Sequence, residues 1–218
     1  MRRIIVGLTM LLMSSLGASS ARGQAEEVGF GVAHQLVISA DRLFGFVHSW
    51  ETLSLGGAKE TGHSDNVSIF GSPFTSLAAS YSAPRLAFDG FVTDGLSIGG
   101  SVSYFWTSVK DVGAASSSSV DGFMVMPRVG YALALGRAAA IWPRVGFSYL
   151  HASGSGRTAS LYAMTFEVPV VISLGPHVAL LAGPTLDVGL GGSQDQGSTT
   201  LDAKETDLGV QFGIAGSL

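Results

Sequence analysis

From Leu96 to Thr107 the chain alternates in character. Leu96, Ile98, Val102, Tyr104 and Trp106 fall on one parity, and Ser97, Gly99, Ser101, Ser103 and Thr107 on the other. A period of two marks a β-strand whose two faces meet different surroundings. Eight segments carry this pattern, at about 42–54, 85–93, 96–108, 122–135, 139–151, 160–174, 177–190 and 205–218. The apolar parity is clearest in the later ones. It reads Phe123, Val125, Val129, Tyr131, Leu133, Leu135 in the fourth, and Tyr162, Met164, Phe166, Val168, Val170, Ile172, Leu174 in the sixth. The seventh gives Val178, Leu180, Ala182, Leu186, Val188, Leu190, and the last Leu208, Val210, Phe212, Ile214, Leu218. The opposite parity holds Gly, Ala, Ser and Thr with isolated charges. The first segment is the poorest case, because Phe44, Phe46 and Trp50 share a side with Arg42 and His48.

The connections alternate as well. Thr93-Asp94-Gly95, Gly136-Arg137 and Gly175-Pro176-His177 have the composition of tight turns. The other four, at about 55–84, 109–121, 152–159 and 191–204, are longer and read as solvated loops. Placing every long connection at one end is the connectivity of a transmembrane β-barrel, which keeps short turns on the periplasmic side and long loops outside, with both termini periplasmic. An apolar outer band around a small, polar interior accounts for both parities, and closure removes the sheet edges that lipid does not tolerate. The fold expected is therefore all-β, a transmembrane antiparallel up-and-down β-barrel of eight strands. The stretch "NVSIFGSPFTSLAASYSAP" in the first long connection is apolar enough to extend the flanking strands above the membrane or to form an added hairpin, and with "QLVISA" in the lead-in paired as well, ten is the alternative count. Tyr104, Trp106, Phe123, Phe147, Tyr149 and Tyr162 gather near the long-loop end, where an aromatic girdle meets headgroups.

Composition narrows the picture. Charged residues are 13% and hydrophobic ones 46%, with a mean hydropathy of +0.40. Beyond the N-terminus, however, no run approaches the about 20 apolar residues of a spanning helix. The net charge of −4 gives no basic footprint for nucleic acid. The absence of Cys excludes disulfides, thiolate metal sites, Cys catalysis and a lipidated-Cys anchor. The first residues read as a secretory signal, residues 1–25. Arg2 and Arg3 form its basic region, Ile4 to Leu16 its apolar region, and Gly23-Gln24-Ala25 a small-x-small cleavage site, with cleavage after Ala21 as the alternative. Residues 26–41 follow as a periplasmic lead-in or first-strand extension, and 42–218 as the barrel.

The signal peptide, the eight strands, the "TDG" turn and the terminal "DLGVQFGIAGSL" together resemble the small outer-membrane β-barrel proteins of Gram-negative bacteria, of OmpA-type and OmpX-type size. "RLAFDGFVTDGLSIGG", "PRVGYAL", "PRVGFSYL" and "GPTLDVGLG" are similar to outer-membrane barrels of myxobacteria and their relatives. The resemblance implies a place in the outer membrane among its lipids and lipopolysaccharide, and insertion by the barrel-assembly machinery. It implies no cofactor, and it leaves any extracellular partner unnamed. One departure is the terminal residue. The family's last strand usually ends in Phe or Trp, whereas this chain ends in Leu218, which implies weakened recognition by that machinery.

Candidate chemistry is sparse. Asp89, Arg128, Arg144, Glu167 and Asp187 fall on the interior parity of different strands, most of them near mid-strand. An eight-stranded barrel has an interior only wide enough for side chains to fill. Charges there survive by pairing, so an ion network plugging the lumen is expected, and a structural or surface-interaction role through the loops follows. A narrow porin-like channel for small polar solutes is one alternative. A lipid-modifying outer-membrane enzyme is another, with His48, His151, Ser153 and Asp121 near the long-loop end as its candidates. A soluble barrel around an apolar cavity would reverse every strand and leave too few charges outside. His34, His63 and His177 have no metal-ligand spacing, so no metal site is read.

Overall fold

The computed structural model describes residues 29–69, 80–109, 118–154 and 156–218. The signal segment 1–25 lies outside the described residues. Among the described residues twelve strand segments form the wall: β1 (Leu36–Leu55), β2 (Ala58–Ile69), β3 (Arg85–Phe91), β4 (Leu96–Val109), β5 (Ser118–Tyr131), β6 (Leu133–Ala134), β7 (Ala139–Ile141), β8 (Arg144–Gly154), β9 (Arg157–Glu167), β10 (Val170–Ser173), β11 (Val178–Gln196) and β12 (Thr199–Ser217). All pairings are antiparallel, and β12 pairs with both β11 and β1, closing the sheet. Several segments lie end to end. The hairpin partners of β1 are β3 near its start and β2 further along. In the same way β5 continues into β6, β7 into β8, and β9 into β10, so the wall has eight staves.

The interruptions have a chemical cause. Pro143 separates β7 from β8, Pro169 separates β9 from β10, and Pro184 lies beside them on β11. Proline offers no N–H to a ladder but keeps its carbonyl. Tyr131 N–H donates to Pro143 O, Trp142 N–H to Pro169 O and Val168 N–H to Pro184 O, at 2.9–3.0 Å, so the wall stays stitched across the breaks.

The structure decides between some readings of the sequence and changes others. β1 begins at Leu36, so residues 36–41 extend the first strand, one of the two readings of 26–41. The connections at 152–159 and 191–204 are mostly strand among their described residues, with pairing running out to Gly154–Arg157 in β8–β9 and to Gln196–Thr199 in β11–β12. Serines and threonines looked like loop because strands above a membrane have polar residues on both faces. Among its described residues, the connection 55–84 contains β2, which extends the stave of β3 beyond the turn as one reading of its apolar sequence expected, and a 3-10 turn, Ser80–Ser82. Finally, Arg42 does not share the side of Phe44, Phe46 and Trp50. A bulge between Ala40 and Phe44 shifts the register and turns both Asp41 and Arg42 inward, 3% and 2% exposed.

Candidate functional site

The outer surface is apolar along every stave. Phe46, Leu86, Ile98, Val129, Leu180 and Phe212 are all exposed, as are the girdle residues Tyr104, Trp106, Phe123, Phe147 and Tyr162, while Tyr149 is half-exposed between Phe123 and Tyr162. Water would not favour so large an apolar belt, and lipid would.

The lumen is filled in three layers. At the end carrying the short turns, Val37, Phe91, Ala132, Trp142, Val171 and Leu181 belong to an apolar cluster. Phe30 enters it from the N-terminal side, edge-on to Phe91 and Trp142 at centroid distances of 5.5 and 5.1 Å. The Phe30 segment is held by Ala33 N–H to Asp94 Oδ1 at 2.9 Å and Gly95 N–H to Gly31 O at 2.7 Å, so the "TDG" turn fastens the lead-in beneath the barrel. Toward the loop end, Tyr81, Phe105, Met124, Leu150 and Leu161 form a second apolar layer.

Between them lies the ionic layer. The structure brings Asp89, Arg128, Arg144, Glu167 and Asp187 together, none more than 6% exposed. Glu167 is the hub. Its Oε1 accepts from Arg42 Nη2 at 3.0 Å and Nε at 3.2 Å, while its Oε2 lies 2.9 Å from Arg144 Nη2 and 3.3 Å from Arg128 Nη1. Arg128 also reaches Asp41 at 2.6 Å and grips both oxygens of Asp89. Arg42 forks onto Asp187 at 2.8 and 3.2 Å, and Thr165 donates to the same carboxylate at 2.6 Å. Arg144 stacks over the Trp142 ring at 4.6 Å, coupling the ionic layer to the aromatic one.

Asp41, Arg42 and Arg85 complete this layer and were not legible as site residues. The bulge hides the first two, and Arg85 opens its strand where the pattern is only beginning. Pro84 precedes it, and the chain there turns into the lumen, so that Arg42 and Arg85 both donate to Tyr81 O. Glu205 and Asp207 on β12 are also buried, just above. A void beside the network measures only about 20 Å³, about the size that holds one water.

Of the enzyme candidates, Asp121, Ser153 and His151 lie together on the paired strands β5 and β8, and His48 lies apart on β1. His151 Nδ1 sits 3.0 Å from Ser160 Oγ, Asp121 pairs with Ser153 across β5 and β8, and His48 lies on β1 with Asp65.

No protein-family model and no curated protein matches the sequence. Among solved structures, the outer membrane protein AlkL aligns over 92% of this chain and 97% of its own, at 14% identity and a TM-score of 0.51. OprG from Pseudomonas aeruginosa aligns over 86% and 97%, at 11% identity and 0.48, and Neisserial surface protein A over 83% and 96%, at 13% and 0.44. The fold is that of the small outer-membrane β-barrels. At such identities the likeness speaks for architecture, and the residues inside this barrel must speak for the rest.

Proposed function

We propose that the chain is a closed outer-membrane wall protein, with a structural or surface-interaction role exerted through the hairpins at its loop end. The observation that carries this reading is the filled lumen, in which the Glu167-centred ion network is sandwiched between two apolar layers. Solutes crossing it would have to displace paired, buried charges, each costing several kcal/mol to separate. In this reading the short turns and both termini face the periplasm. The exposed belt meets outer-membrane lipids, with lipopolysaccharide around the girdle, and the barrel-assembly machinery inserts the chain.

Planar-bilayer recording tests it. Purified, heat-modifiable protein should give no steps above baseline, whereas reproducible single-channel steps would overturn the closed wall in favour of a narrow channel for small polar solutes. The topology is read separately, from protease cleavage on intact cells at the β1–β2 and β11–β12 hairpins.

A further inference from the structure

The outer face of the β1–β2 hairpin carries a cluster that the barrel itself does not require. The hairpin register sets His48 directly opposite Asp65 and Trp50 opposite His63, so the two imidazoles become diagonal neighbours across the strands. His48 Nδ1 lies 2.6 Å from Asp65 Oδ1. A carboxylate oxygen only accepts, so in the neutral imidazole Nδ1 is the donor and the Nε2 lone pair is left for another partner. The His48 and His63 rings lie nearly parallel, with centroids 6.1 Å apart and planes at 27°. Trp50 packs edge-on against His48 at 4.3 Å and holds the ring in place. All of this sits just above the apolar row Val67–Phe46–Val210, at the rim of the belt.

We propose that His48 and His63 form a binding site for a divalent transition-metal ion, with Asp65 as the positioning carboxylate behind His48. Carboxylate–histidine–metal is the arrangement that fixes a ligating imidazole's tautomer and raises its basicity. Imidazole pairs suit Zn²⁺ and Cu²⁺. Two imidazoles on one tetrahedral ion, at about 2.0–2.1 Å each, bring their nitrogens to about 3.3 Å apart. His63 is exposed and its ring lies 6.1 Å from that of His48, so the site requires its side chain to rotate toward His48 on binding. Among the described residues no group of three or more His, Asp and Glu side chains is gathered as a ready metal centre. The site proposed here uses two protein nitrogens, and water completes the coordination. It stands independently of whether the lumen conducts.

The test uses the folded full-length barrel in detergent, titrated with Zn²⁺ alone by calorimetry and with Cu²⁺ alone by electron paramagnetic resonance. The wild type should bind one ion, with superhyperfine structure from two nitrogens and with quenching of Trp50 fluorescence by Cu²⁺ that a Trp50→Phe variant lacks. His48→Ala and His63→Gln should each weaken binding at least tenfold, and Asp65→Asn about tenfold. His151→Ala and His177→Ala should leave it unchanged. Every variant is first required to keep its heat-modifiable band, since exposed side chains on a hairpin are dispensable for closure. Equal affinity in the wild type and His63→Gln, or a one-nitrogen signal, would overturn the site.

Discussion

Glu167 accepts contacts from three guanidiniums, so replacing it with Gln tests the physics of the lumen with little change of shape. The amide keeps one accepting oxygen but puts an NH₂ donor where the other stood, so it faces either Arg42 or the Arg128–Arg144 pair donor to donor. Hydrogen bonds to charged groups contribute about 1.5–3 kcal/mol each, and the arginines retain Asp41, Asp89 and Asp187 as partners. Breaking a buried pair from one side costs about 3–5 kcal/mol, and we expect Glu167→Gln to fall at the lower end of that range, about 3 kcal/mol. The assay is urea unfolding of the detergent-folded barrel, followed by Trp fluorescence and gel mobility. Glu60→Gln on the exposed part of β2 is the control, expected within about 0.5 kcal/mol of wild type. A double-mutant cycle with Arg144→Gln isolates the 2.9 Å pair and should return a coupling of about 1–3 kcal/mol. Glu167→Gln unfolding within about 1 kcal/mol of wild type, with no coupling to Arg144, would refute the claim that this network holds the lumen shut.

Two further outcomes follow from packing and facing. A Cβ at Gly130 would come within 2.7 Å of Trp142 Nε1, 2.8 Å of Ser97 Oγ and 3.0 Å of Arg144 Cγ, so Gly130→Ala should break the Trp142–Ser97 hydrogen bond and cost about 1–3 kcal/mol in the same unfolding assay. Trp106 is 67% exposed on the belt and Trp142 is fully buried in the lumen, so brominated lipids should quench a variant retaining only Trp106 strongly and one retaining only Trp142 weakly; equal quenching would mean the facing is wrong.

How far the fold can be read from the sequence depends on how regular each stave is. Leu208 through Ile214 alternates without interruption and Leu96 through Trp106 does so except at Gly100 and the inward Phe105, and their apolar parity is the exposed one. Every stave with such a run was legible, and so were the tight turns between them. The staves broken by Pro143 and Pro169 kept their parity across the break, because inward Trp142 and Arg144 remain two residues apart. The upper ends of β8–β9 and β11–β12 were not legible, and that of β1–β2 only in part. Above the lipid nothing demands an apolar face, so β2 and the ends of β11 and β12 lose the signal while keeping the hydrogen bonds. The His48–His63 pairing is hidden for the same reason, since it exists only once the β1–β2 register is known.

Arg42 shows why the ion network was only partly legible. Strict alternation from Phe44 puts its guanidinium on the lipid side, where Arg costs about 2–4 kcal/mol at mid-depth. The bulge at Asp41–Leu43 reverses that, and Arg42 takes a φ of 60° to do so. A left-handed backbone at a non-glycine residue costs about 1–3 kcal/mol. Inside, the same guanidinium forks onto Asp187, caps Glu167 and donates to Tyr81 O, each charge-assisted bond contributing about 1.5–3 kcal/mol. Escape from lipid together with these bonds exceeds the backbone strain, so the charge selects the bulge. The bulge is therefore a consequence of the lumen's electrostatics. A parity rule applied to one strand at a time cannot see it, because Asp187 and Glu167 belong to β11 and β9.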